Sequence, residues 1–197
     1  MVLELFGKNI GHRLGASGTK LENTIQALEG TITKVNDPKF KYWEFDVQET
    51  FDGELVVFHD DYIESDASSI RICDIDYNKL VDCSNSLGIT IPKYSEVFNI
   101  LKYRNEPVMV EIKNLISEKA REKVFSSLAK RENWKLMATP TRFLRSLPNE
   151  TRELWSDYAN ENNIDFVRVG RHNIDLFKSE KSQLKWIYAL PKWFFGF

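Results

Sequence analysis

The sequence predicts an α/β fold built as a (β/α) barrel, and three observations lead there. Strand-like and helix-like segments alternate along most of the chain, the pattern of a parallel sheet with crossover helices. Several strand segments are continuous apolar runs, as expected of strands covered on both sides. The 197 residues are 42% hydrophobic, enough for one domain with a sizeable core.

Each element has its own signal. "KNIGHRL" predicts a short strand ending at Gly11-His12-Arg13. "ENTIQALEGTITKV" predicts a helix, with Ile25, Leu28 and Ile32 near one face and Asn23 as its N-cap. "KYWEFDVQE" and "GELVVFHD" predict two strands joined by the turn residues Asp52-Gly53. Residues 61–93 are polar and irregular, with room for one short helix. "YSEVFNILKY" predicts a helix, "EPVMVEIK" a strand, and "SEKAREKVFSSLAKREN" a helix with Ala120, Val124 and Leu128 in line. "WKLMAT" predicts a strand, "TRELWSDYANEN" a helix, and "DFVRVG" and "LKWIYAL" two last strands.

Composition narrows the function classes. The net charge is −2, with both signs mixed along the chain, so neither a nucleic-acid footprint nor an acidic tail is expected. The N-terminus is too polar for a signal peptide, and no run of about 20 apolar residues is long enough to span a bilayer. A cytoplasmic protein is expected. Cys73 and Cys83 lack zinc-site spacing and are expected as free thiols.

The chemistry concentrates in a few polar positions. Side chains alternate along a strand, so Glu44 and Asp46 share one face, opposite Trp43, Phe45 and Val47. Glu111 and Lys113 likewise share a face. His12-Arg13 and His59 end strands, and functional side chains of a (β/α) barrel gather at such ends. Buried like-charged carboxylates repel unless a cation joins them, and an all-oxygen set of three suits Mg²⁺ or Ca²⁺ better than zinc. Two histidines beside that cation suit acid–base work near neutral pH. Arg13 and Lys113 add positive charge suited to a phosphate. The set reads as metal-assisted phosphodiester cleavage.

Four stretches in order, "IGHRLGASGTKLENT", "YWEFDVQETFDGELVVFHD", "IPKYSEV" and "VMVEIK", resemble the glycerophosphodiester phosphodiesterases. The resemblance covers about the first 115 residues. It implies a TIM-barrel fold over a single domain of residues 1–197, with a small insertion around 61–93. It implies His12 and His59 as the acid–base pair, Glu44, Asp46 and Glu111 as ligands of one Mg²⁺ or Ca²⁺, and Arg13 and Lys113 as phosphate contacts. The substrate implied is a small phosphodiester, hydrolysed to an alcohol and a glycerol phosphate. A lysophospholipase D-like activity and a barrel that binds phosphoesters without turnover are the rival readings.

Two features depart from the family pattern. Leu14 stands as an extra residue between Arg13 and Gly15. "KWIYAL" stands where the family has a late strand but lacks its Thr-Asn, and the family's final strand has no visible counterpart, so the barrel is expected to be compact or incomplete in its C-terminal half. Trp186, Tyr188, Trp193, Phe194, Phe195 and Phe197 are expected to cover that opening, within the chain or across a homo-oligomer. Glu22 and Asn23 are expected to cap a helix, Asp60 to act in catalysis, orient His59 or cap its loop, and Glu96 to support the site or start a helix. Arg168, Arg171 and His172 are expected on the surface.

Overall fold

A computed structural model describes residues 9–65 and 68–168. The chain divides into two compact units, with the boundary between Met109 and Val110.

The first unit is built on strand β1, Trp43–Glu49. Trp43, Phe45 and Val47 are fully buried on one face, and Glu44, Asp46 and Gln48 are buried on the other. A strand covered on both sides is what the apolar runs predicted. β2, Leu55–Val57, pairs antiparallel with β1, aligning Val47 with Val57 and Glu49 with Leu55. Gly53 makes the connection with φ +81°, and the Thr50 hydroxyl donates to Asp52 at 2.6 Å to brace the turn.

The predicted strand over "KNIGHRL" is not formed at residues 9–15. Its place is taken by an irregular segment and a 3-10 turn, His12–Gly15. Arg13 and Leu14 there adopt φ of 50° and 58°. Leu14, within this left-handed stretch, is fully buried. Gly15 follows with φ +101°, and a Cβ at that position would collide with the Thr31 side chain. The side chain of Asn9 stitches the segment to the residues before β1. It donates to the Tyr42 carbonyl at 2.7 Å and accepts from the Lys41 N–H at 2.9 Å.

Helix α1, Ile25–Ile32, begins one residue later than predicted. Its N-cap is Thr24, whose hydroxyl accepts from the Ala27 N–H. Asn23 turns inward instead. Residues 61–93 are more regular than their polarity suggests. They hold a hairpin of β3, Tyr62–Glu64, and β4, Ser69–Arg71, then helix α2, Tyr77–Ser86. Val56, Ile63, Ile72, Ile75, Leu80 and Ile91 form a small core under them. Helix α3, Tyr94–Leu101, follows as predicted, and Tyr94 packs on Phe45 with ring centroids 6.1 Å apart. Cys73 and Cys83 are free thiols.

Strand β5, Val108–Asn114, crosses the unit boundary. In the second unit β5, β6 (Trp134–Ala138) and β7 (Asp165–Arg168) are neighbours in that order. β6 and β7 run parallel, with Leu136 opposite Phe166 and Ala138 opposite Arg168. Helix α4, Glu118–Leu128, lies between β5 and β6 in the chain. Two helices separate β6 from β7: the unpredicted α5, Pro140–Ser146, and α6, Asn149–Glu161. Thr139 caps α5 and Pro140 opens it, a sound start signal for a helix too short to show periodicity. Phe125 of α4 meets Trp155 of α6 with centroids 4.9 Å apart.

No helix among the described residues is long and apolar enough to cross a membrane. The predicted strand "LKWIYAL", the aromatic tail, Arg171 and His172 lie outside the described residues. So does the expected opening at the C-terminal half of the barrel.

Candidate active site

In the first unit the site is built around the polar face of β1. Glu44 and Asp46 are each 1% exposed. The left-handed turn after Gly11 carries Arg13 back over this strand, so its backbone N–H donates to Glu44 Oε2 at 2.8 Å. The His12 ring comes with it, placing Nε2 3.4 Å from the same carboxylate oxygen. One carboxylate thus holds both residues of the His-Arg pair. Burial pushes His12 below the ordinary imidazole range, and the neighbouring Arg13 charge pushes it the same way. The nearby carboxylates of Asp46 and Glu22 pull upward with less effect.

Arg13 is not a loose cation over the strand. Its Nη1 donates to both oxygens of Glu22, at 2.8 and 2.9 Å, while Nε reaches Asp46 Oδ2 only at 3.9 Å. Glu22 also accepts the Gly18 N–H at 2.7 Å. Glu22 therefore orients the arginine rather than capping α1. Asn23 likewise serves the site: its amide donates to Asp46 Oδ2 at 2.8 Å.

His59 follows β2 by one residue beyond Phe58. Its Nδ1 lies 2.7 Å from Asp60 Oδ1, so Asp60 orients the ring, one of the roles expected of it. The loop is held from below by Gln48, whose amide nitrogen donates to the Phe58 carbonyl at 2.8 Å and the Asp60 carbonyl at 2.9 Å. Glu96 is at the start of α3, where Oε2 accepts the Lys93 N–H at 2.7 Å, so its role is to cap.

In the second unit Glu111 and Lys113 form an ion pair on the same face of β5. Lys113 Nζ donates to Glu111 Oε1 at 2.8 Å, and both side chains are mostly buried. This bears out the parity read from "VEIK".

The structure brings His12, Arg13, Glu44 and Asp46 together in the first unit, and Glu111 with Lys113 in the second. The sequence reading missed Asn9, Glu22, Asn23 and Gln48. Gln48 carried a readable signal, since it continues the face of Glu44 and Asp46 at the same two-residue spacing. The others act from irregular backbone, where spacing carries no direction.

Comparison with known proteins identifies a family. The glycerophosphoryl diester phosphodiesterase family matches residues 12–155, which include every one of these side chains except Asn9. No curated protein sequence matches the chain. A glycerophosphodiester phosphodiesterase from Thermotoga maritima is similar in structure with a TM-score of 0.54 at 21% identity, covering 93% of this chain and 68% of that one. One from Parabacteroides distasonis has a TM-score of 0.52 at 18% identity, covering 84% of this chain and 83% of that one. A glycerophosphoryl diester phosphodiesterase domain from Mycobacterium tuberculosis has a TM-score of 0.55 at 11% identity, covering 84% of this chain and 59% of that one. At such identities these likenesses speak to the fold. By the match over residues 12–155, the chain belongs to the glycerophosphoryl diester phosphodiesterase family, phosphoric diester hydrolases on a TIM-barrel-like fold.

Proposed function

We propose that this chain is a metal-dependent glycerophosphodiester phosphodiesterase, with residues 1–197 acting as one catalytic domain. It would hydrolyse a small glycerophosphodiester to an alcohol and a glycerol phosphate. The observation that carries the reading is Glu44, which contacts the His12 ring and the Arg13 backbone while sharing its strand face with Asp46.

The proposed ligands of one divalent cation are Glu44, Asp46 and Glu111, an all-oxygen donor set. Their chemistry fits the ion. Glu44 and Asp46 are buried like charges two residues apart on one face. Buried carboxylates in that state gain from a hard cation. A Mg²⁺ or Ca²⁺ held by these three carboxylates would supply positive charge to stabilise the charge that develops on the phosphate.

The protein's own groups handle the protons and the substrate. Either His12 or His59 takes a proton from the nucleophile, and the other gives one to the departing alkoxide. With Nδ1 of His59 directed at Asp60, its Nε2 is the nitrogen that exchanges a proton with the reacting groups. Arg13 and Lys113 hold phosphate oxygens; each is already oriented by a carboxylate, Glu22 and Glu111 respectively.

The test is an assay of the chain against a panel of glycerophosphodiesters with and without chelator. Chelation should abolish turnover and Mg²⁺ or Ca²⁺ should restore it. Full activity of Glu44→Ala in excess chelator would refute the metal assignment.

A further inference from the structure

Gln48 is a polar side chain, 2% exposed, on the face of β1 that carries Glu44 and Asp46. Its amide oxygen and nitrogen are not equivalent in their use. Nε2 donates twice, to the carbonyl before His59 at 2.8 Å and to the carbonyl after it at 2.9 Å. An amide group has two N–H donors, and both are directed at the backbone that flanks one histidine. β2 ends at Val57, so Phe58, His59 and Asp60 lie beyond it. The Phe58 N–H is bound to the Asp46 carbonyl at 3.1 Å, the last ladder-like contact before the histidine. Past that point the two Gln48 bonds tie the loop to the strand. Asp60 then holds the ring itself at Nδ1. The backbone is fixed from β1 and the imidazole from its own neighbour.

We infer that Gln48 is a positioning residue for His59, acting through the Phe58 and Asp60 carbonyls and touching neither metal nor substrate. The inference rests on the proposed acid–base role of His59. A loop histidine must be held in one pose to exchange a proton with a reacting group, because small displacements of such groups are costly. Methionine is the informative replacement: unbranched and of similar size, it fills the space and removes both donors.

The test uses the full chain with Mg²⁺ and a chromogenic phosphodiester, alongside NMR of the histidine rings. The chain has three histidines, so His12→Ala and His59→Ala assign the ring signals. In Gln48→Met the His59 ring signals should shift or broaden while those of His12 stay in place. Turnover should fall about tenfold to a hundredfold with KM changed less than about threefold. In a His59→Ala background the same substitution should cost less than about twofold, because the group it positions is gone. Unchanged His59 signals, or an equal loss of turnover in both backgrounds, would overturn the inference. If His59→Ala itself turns over normally, the acid–base assignment fails, and the ring signals still decide whether Gln48 holds His59. Gln48→Glu, which keeps the shape and loses both donors, is the second variant. Failure of both variants to fold would overturn the inference in favour of a purely structural role.

Discussion

Asn23 and Asp46 hold each other by two hydrogen bonds. The Asn23 amide donates to Asp46 Oδ2 at 2.8 Å, and the Asp46 backbone N–H donates to Asn23 Oδ1 at 3.4 Å. Asn23 reaches this pose with φ +61°, a conformation that Asn and Asp tolerate better than other side chains. Asn23→Asp therefore isolates the electrostatic role without straining the backbone. It sets a second carboxylate against Asp46 where neither is solvated. In excess chelator at pH 7 the variant should lose about 1–3 kcal/mol of stability in urea unfolding. The loss should shrink on acidification, as one of the two carboxyls takes a proton. An unchanged urea midpoint would mean that the pair is not coupled.

The two histidines should separate chemistry from stability. His12 and His59 sit on irregular backbone at the margin of the core, with side chains 37% and 30% exposed. His12→Ala and His59→Ala should each lower turnover by roughly 10²–10⁴-fold, the usual worth of a positioned proton donor or acceptor. Melting temperatures should move little. A variant that turns over like the parent would remove that histidine from the mechanism.

The pH dependence of stability should carry the His12 signature in the metal-free protein. Burial and Arg13 hold its folded-state pKa below the unfolded value of about 6.5. Between the two values the unfolded chain binds the proton and the folded chain does not, so stability falls as pH falls. The penalty begins as pH drops through about 6.5 and is complete below the folded pKa. His12→Gln lacks this titration. In chelator the difference in stability between parent and variant should therefore tilt toward the variant between about pH 7 and pH 5, read by urea unfolding. A pH-independent difference would contradict the lowered pKa.

Most of the strand scaffold was legible in the sequence because alternation is a strong, local signal. "WEFDVQE" and "VMVEIKN" display their faces residue by residue, and the structure keeps that parity at Glu44, Asp46, Glu111 and Lys113. The His-Arg segment was not legible. Its turn depends on two non-glycine residues with positive φ, and nothing in "HRLG" announces that Leu14 will be buried there. The cap of α1 was misplaced by one residue because Asn23 and Thr24 are both good caps; the carboxylate of Asp46 claims the first and leaves the second. The β3–β4 hairpin escaped because three-residue strands are too short for a period to show.

Arg121 carries the last prediction, which concerns the loop after β5. The residue lies on α4, is 4% exposed, and spreads its guanidinium over the end of that strand. Nε donates to the Ser146 carbonyl at 2.6 Å, Nη2 to the Ile116 carbonyl at 2.8 Å and the Leu115 carbonyl at 3.2 Å, and Nη1 to Glu118 at 2.6 Å. Ser146 answers by accepting the Leu115 N–H on its hydroxyl at 3.1 Å. This fork ties the loop that follows Glu111 and Lys113 to the end of α5. Removing it leaves several carbonyls without this partner where water has little access, and each such loss costs about 1–3 kcal/mol. Arg121→Ala should therefore cost at least about 3 kcal/mol in urea unfolding. Arg121→Lys keeps the charge but offers a single ammonium in place of a planar fork, so it should recover less than half of the loss. A loss under about 1 kcal/mol for Arg121→Ala, or full recovery by lysine, would show that packing rather than the guanidinium bonds holds the loop.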